Sequence, residues 1–366
     1  MVFKSSSDLF STLFLSEILV LIVSKLTDNF KTISIFWLLT TFSSNAANFN
    51  LDTGYAANAD KYDKTLINEV DMAGSRIIGV GIHGVIIYSD DQGKNWQQSI
   101  VPTTKTLTAI DCLNDSLCWA VGHDAHILKT TDGGESWNIQ YSDEIFDAPL
   151  LSVSMFNNRM GIAVGAFAKS LRTNDGGTTW EEFFVTEDEF QPHLNNVSTN
   201  GVNAYVAGEL GLFYYSSDQG QNWTTYETGY NGSLWSSLLI NDDQLILIGM
   251  SGNIILATLV DDINFQFQIY NNGIQNTLTS ATKLSDGRIA IAGLGGVVSV
   301  VDFNNNSDIS TCVRQDRLGN NAIIESSDNN FLIVGQKGSR FHDMNACKTS
   351  SLQANATNTW LVTTIN

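Results

Sequence analysis

The sequence predicts an all-β fold: a seven-bladed β-propeller of four-stranded antiparallel blades, with aspartate-pinned turns in blades one to four. Two superimposed repeats carry this reading. In the first, an apolar run ends in glycine, a short loop follows, and a second apolar run begins; the closing glycines are Gly81, Gly122, Gly165, Gly208, Gly249, Gly293 and Gly335. Their steps run from 41 to 44 residues, and a fixed period of this size built from short strands means stacked supersecondary units. In the second, Ser/Thr-x-Asp-x-Gly-x-x-Trp recurs at one phase of the first four repeats. Its anchors are Asp91, Gly93 and Trp96, then Asp132, Gly134 and Trp137, Asp175, Gly177 and Trp180, and Asp218, Gly220 and Trp223. A short carboxylate accepts backbone N–H groups inside a tight turn, glycine takes a positive φ, and tryptophan opens the next strand with a large apolar surface.

The elements follow in order. Residues 1–47 read as a signal peptide or targeting extension: Lys25 and Lys31 precede the apolar run Ile33–Leu39, and Ser43-Ser44-Asn45-Ala46-Ala47 is a small-residue exit. The run is short for a membrane span, although an uncleaved segment would act as an anchor. Residues 48–366 then form the ring. In the second repeat, strand A is Leu107–Cys112, strand B 117–122, strand C His126–Thr130 and strand D Trp137–Tyr141. Blades five to seven lack the aspartate motif and are expected to keep their inner strands with looser outer turns. Residues 50–58 and the 360–364 run are both candidates to pair with blade seven and lock the ring.

Bulk composition narrows the function. The formal net charge is −19 with 19 Lys plus Arg in 366 residues, so there is no basic stripe to neutralise phosphates. Nucleic acid is excluded as a partner, and an anionic membrane surface is disfavoured; membrane contact is expected only through a client or the uncleaved N-terminus. Cys112 and Cys118 can face each other across a hairpin, and Cys312 and Cys347 lie in neighbouring repeats. An even count in an exported chain suggests two disulfides. No cofactor motif is present in the sequence, and a monomer is expected.

Strand alternation puts the B–C and D–A connections on the face opposite the aspartate turns, where propellers usually bind partners. The B–C set supplies His83, His123, Asp124, Phe167, Glu209, Gln336 and Lys337 as candidate partner-binding residues. The D–A loops add Phe146 and Phe190, each set among carboxylates, which suits a basic-aromatic segment of a client. His83, His123 and Asp124 could meet as metal ligands, or serve as a polar lining of the funnel; no metal site is assigned.

The combination of Val-Gly, a short loop, Ile127-Leu128-Lys129-Thr130-Thr131-Asp132-Gly133-Gly134-Glu135-Ser136-Trp137 and a period near 42 residues resembles the photosystem II assembly/stability factor family. That family sits within the wider group of bacterial-neuraminidase (Asp-box) repeat propellers. The resemblance spans about Tyr62 to Trp360 and implies a non-enzymatic, exported factor that binds a protein client, such as a membrane-protein assembly intermediate. Photosynthetic members present arginine-rich surface to that client, whereas this chain has seven Arg with no cluster along the sequence. The alternative is a glycoside hydrolase of the sialidase type, which shares the Asp-box turns. Those enzymes use an arginine triad introduced by Arg-Ile-Pro, but Pro102, Pro149 and Pro192 follow Val, Ala and Gln.

Overall fold

A strand buried at every position needs apolar cover on both faces. The computed structural model describes residues 54–350 except 59–60, 146–147, 188, 272, 304–307, 327–329 and 344–348. In it Cys118–Gly122, Gly161–Gly165, Ala204–Gly208 and Ile289–Gly293 are buried throughout. Each is strand B of its blade and takes its cover from the sheet on either side. The described residues form seven antiparallel meanders, in the order A–B–C–D in blades one to six and A–B–C in blade seven, starting at Ile67–Ala73, Leu107–Cys112, Leu150–Met155, Leu194–Thr199, Leu234–Leu239, Leu278–Lys283 and Asn320–Ser326.

Buried side chains gather between the sheets. One cluster lies between blades one and two around Ile78, Ile110 and Trp137, and another between blades four and five around Phe213, Phe265 and Phe267. Blades seven and one share a cluster of the same kind, in which Leu332 and Val334 meet Ile67, Ile77 and Trp96. The ring is therefore closed by packing.

A second device repeats around the inner wall. In every blade the second residue of strand A is a β-bulge: the register slips at residues 68, 108, 151, 195, 235, 279 and 321. A bulge re-aims its side chain, and here it reaches the next blade. Asn68 Nδ2 donates to the Leu107 carbonyl at 2.7 Å, Thr108 Oγ1 to Leu150 at 2.6 Å, Asn195 Nδ2 to Leu234 at 2.8 Å and Thr279 Oγ1 to Asn320 at 2.7 Å. Asn321 Nδ2 donates to Ile67 at 3.2 Å and makes the same bond across the closure. Leu151 and Trp235 occupy the position in blades three and five; leucine has no donor, and among the described residues Trp235 makes no bond of this kind.

The aspartate motifs are strand C–strand D turns. Asp91 Oδ1 accepts the Asn95 N–H at 2.8 Å and the Ser89 hydroxyl at 2.9 Å, while Ser89 Oγ accepts the Gly93 N–H at 2.8 Å. Blades two, three and four repeat the pattern with Asp132, Asp175 and Asp218. The motif glycines also touch the preceding blade. A Cβ on Gly134, Gly177 or Gly220 would stand 2.7, 2.7 or 2.5 Å from Ile78, Trp119 or Ile162, and one on Gly93 would stand 2.9 Å from Leu332 of blade seven. Blade five turns tightly by other means: Asp261 Oδ1 accepts the N–H groups of Ile263 and Asn264 between two seven-residue strands.

The chain ends need correction. Residues 54–58 do not pair with blade seven: Ala56 N–H donates to Val101, and Gln98 of strand D in blade one donates to Ala57. Blade seven shows three strands among the described residues, and the chain then turns back so that Thr349–Ser350 adds a fifth strand to blade six. The 360–364 run and residues 1–47 lie outside the described residues.

Cys112 and Cys118 form a disulfide across the strand A–strand B turn of blade two. Cys312 is disulfide-bonded as well, and Cys347 lies outside the described residues. Replacing Cys112 and Cys118 by serine closes no loop in the unfolded chain and is expected to lower stability by about 2 kcal/mol, measured as the shift in the chemical-denaturation midpoint.

Candidate functional site: the face of B–C turns and D–A loops

Each B–C connection is a two-residue turn with both central residues at positive φ, the geometry that lets two right-twisted strands meet directly. The first central residues are His83, Asp124, Phe167, Leu210, Ser251, Gly295 and Lys337, with φ from 55° to 68°. Only one is glycine, although this conformation costs an L-residue roughly 1–2 kcal/mol. The second residue faces a wall. A Cβ on Gly84, Gly211 or Gly338 would fall within 2.0, 1.6 or 1.9 Å of the carbonyl of Thr103, Tyr230 or Asp63 in the connection entering the next blade. Of the apical side chains, those of His83, Phe167, Leu210 and Lys337 stand outward on this face.

Blade three carries the most apolar part of that face. Phe167 is 54% exposed, with its ring 5.0 Å from that of His193, and its N–H donates to His193 Nδ1. The loops on either side add Ile145 and Phe184 at 98% and 73% exposure, and together they wall a groove of 690 Å³. Lys169 forms part of the groove with its side chain buried. Its ammonium pairs with Asp143 at 3.1 Å and with Glu182. Burial pulls its proton affinity down, but the two carboxylates outweigh that and hold it above the ordinary lysine value. Glu187 and Glu189 extend the acidic rim.

The ring's central channel opens on the same face as a cavity of 400 Å³ lined by Asn68, Thr108, His123, Trp235 and Asn321 among others. Glu69 lines it too, and Asp71 and Asp111 follow on the inner strands of blades one and two. Each carboxylate accepts an N–H from the next blade: Glu69 from Ile110 at 3.1 Å, Asp71 from Cys112 at 2.7 Å and Asp111 from Met155 at 2.9 Å. Burial pushes Glu69 up to about 8 and Asp111 to about 7; repulsion from Asp71 adds to both, and the N–H bonds oppose the rise. Burial also raises Asp71 to about 6.

The candidate residues are distributed as follows. His83 and Lys337 are exposed turn apices, and His123 is exposed at the channel mouth. Asp124 is paired with Lys105, so its carboxylate is committed and His83, His123 and Asp124 make no metal set; among the described residues no group of three or more His, Cys, Asp and Glu could hold an ion. Glu209 accepts the His193 N–H at 2.9 Å and so joins Phe167 through His193. Gln336 accepts the Gly319 N–H at 3.0 Å. Phe190 is 64% exposed in the loop beside the groove, and Phe146 lies outside the described residues.

Sequence reasoning placed Ile145 and Leu210 in these loops without assigning them a binding role, and it missed Phe184 and Lys169. A signal existed for both missed residues: a lysine opening an apolar strand at Lys169, and the pair Phe183–Phe184, of which alternation must leave one outside. It also missed an arginine cluster. The loop entering blade seven brings Arg314 against the Arg340 strand, where it donates to the Phe341 carbonyl at 3.3 Å, with Arg317 three residues further along the same loop; the Arg340 guanidinium donates to Asn320 Oδ1 at 3.1 Å and to the Gly319 carbonyl at 3.4 Å. Arg314 pairs with Asp316 at 2.8 Å, and Lys337 projects from the adjacent turn.

Comparison with known proteins gives the arrangement its relatives. Residues 89–358 match the family described as photosynthesis system II assembly factor YCF48. A solved structure of YCF48 bound to D1 peptide superposes with a TM-score of 0.61 at 16% identity, covering 78% of this chain and 97% of that one. YCF48 from Cyanidioschyzon merolae gives 0.59 at 14% identity, with coverages of 78% and 97%. The WD40 β-propeller domain of Doa1 gives 0.62 at 12% identity, with coverages of 80% and 96%. At these identities the structures show the fold alone. The uncharacterized protein YkuO of Bacillus subtilis (strain 168) is 35% identical over 77 residues, which are 21% of this chain and 25% of that protein. The family match extends over most of the seven-bladed ring, and this chain belongs to the photosynthesis system II assembly factor YCF48 family.

Proposed function

We propose that this protein is an exported, non-enzymatic assembly factor that binds a protein client, a segment of a membrane-complex subunit, on the face of its B–C turns and D–A loops. The observation that carries the reading is the concentration of outward apolar side chains there. Phe167, Ile145, Phe184 and Leu210 are more than half exposed on one side of the ring, whereas the conspicuous aspartates opposite are consumed by their own turns. Exposed apolar area of this kind marks an interaction site. Family membership and the D1 peptide held by one relative support a protein as the client, and the N-terminal pattern supports export. An acidic blade-three edge and an arginine edge at blades six and seven give the face the polarity to orient a charged segment.

The test is affinity capture with the tagged full-length protein from its own membranes. One membrane complex is expected to be enriched, its photosystem II reaction-centre subunits in an organism that has them. Enrichment should fall about tenfold or more in the Phe167→Ser, Leu210→Ser double variant and persist in Asp90→Asn on the aspartate-turn face. Equal capture by both variants overturns the reading. So does aryl-glycoside turnover abolished by one acid-to-amide change.

A further inference from the structure

Resting on that reading, we infer that the blade-three groove is the anchor site for an apolar stretch of the client flanked by lysine or arginine. Three of the four most exposed large apolar side chains among the described residues, Ile145, Phe184 and Phe190, stand in the loops that wall it. Solubility alone does not place them there, because scattered apolar exposure is ordinary but its collection around one concavity is not. The volume of 690 Å³ lies in the range of a binding cleft and takes several side chains.

The rim decides the chemistry. Asp143, Glu182, Glu187 and Glu189 line the groove against one cation, Lys169. That ammonium is already bound by Asp143 and Glu182, which leaves the rim net acidic. A partner with carboxylates beside its apolar residues would meet like charge. One with basic flanks finds a complementary rim and apolar side chains to cover. The same argument disfavours a second copy of this chain, which at net charge −19 would bring acid to acid. The groove differs in kind from the arginine edge at blades six and seven, so a segment running across the face would enter in one direction.

The test uses the full-length protein and two fluorescein-labelled peptides, each with a Leu-Phe-Leu centre, one flanked by paired lysines and the other by paired glutamates, followed by anisotropy. The lysine peptide is expected to bind about tenfold or more tightly than the glutamate peptide, with an affinity that falls as salt is added. Phe184→Ser and Ile145→Ser, both at exposed positions, should each weaken it about tenfold, while Val260→Ser on the blade-five outer turn should not. Equal binding of the two peptides, equal loss in Val260→Ser, or a dimer that Phe184→Ser dissolves would overturn the inference. If peptide selectivity is absent while the membrane complex is still captured, the groove assignment falls and the proposed function stands. If selectivity is present without capture, the reverse holds.

Discussion

Alanine at Gly177 is expected to lower stability by about 2–5 kcal/mol, and alanine at Gly201 by only about 1–2 kcal/mol. The two glycines share a left-handed φ, +86° and +87°. They differ in surroundings. A Cβ at Gly177 would stand 2.7 Å from the buried Trp119 Nε1 of the preceding blade and 3.4 Å from Trp180 Nε1, whereas nothing lies within 4 Å of one at Gly201. The common part is the conformational penalty, and the difference is inter-blade packing. Chemical denaturation of both variants separates them, with a further loss of roughly 5 °C in Tm for Gly177→Ala. Equal losses would mean that the aspartate turns serve their own blade only and do not couple one blade to the last.

The second large effect concerns pH. Glu69, Asp71 and Asp111 bind protons more tightly in the folded ring than in the unfolded chain, since their folded values of about 8, 6 and 7 stand above the ordinary 4.5 and 3.8. Their contribution to stability is then complete below pH 4 and is lost as pH rises through about 6 to 8. Asp91 works the other way: bonds from Asn95 hold it down to about 2, so its contribution is present above 3.8 and disappears as pH falls through 2. The stability maximum is expected near pH 4–5. Glu69→Gln with Asp111→Asn keeps an oxygen for the Ile110 and Met155 N–H groups and removes the charge. This variant should be more stable than the parent at pH 8, by roughly 5 °C in Tm, and unchanged at pH 4. A parallel pair of melting profiles would refute the channel as the source.

The ring was legible in the sequence where each blade obeys a local rule. Apolar runs closed by Gly81 through Gly335 place strand B, and Asp132 with Gly134 and Trp137 place a turn, because those residues act on neighbours a few positions away. The corrections fall where the partner is remote. Residues 50–58 were a candidate to pair with blade seven, and their described part, 54–58, lies along blade one. Asp124 was available to a metal until the fold set Lys105 against it. Arg314 and Arg340 are 26 residues apart and meet only because strand C of blade seven packs on the loop that enters that blade.

The sequence by itself determined the number of blades, their strand order and which connections share a face, since period and alternation are properties of the chain. Only the tertiary structure decided what that face contains. Ile145, Phe184 and Lys169 come from three loops or turns, and Glu69 and Asp111 from two blades. Their exposure, pairing and proton affinity depend on distances set when the sheets close around a common axis. Closure itself rests on the same logic: Asn321 and Ile67 are at opposite ends of the propeller sequence, and bulge geometry turns that separation into a hydrogen bond.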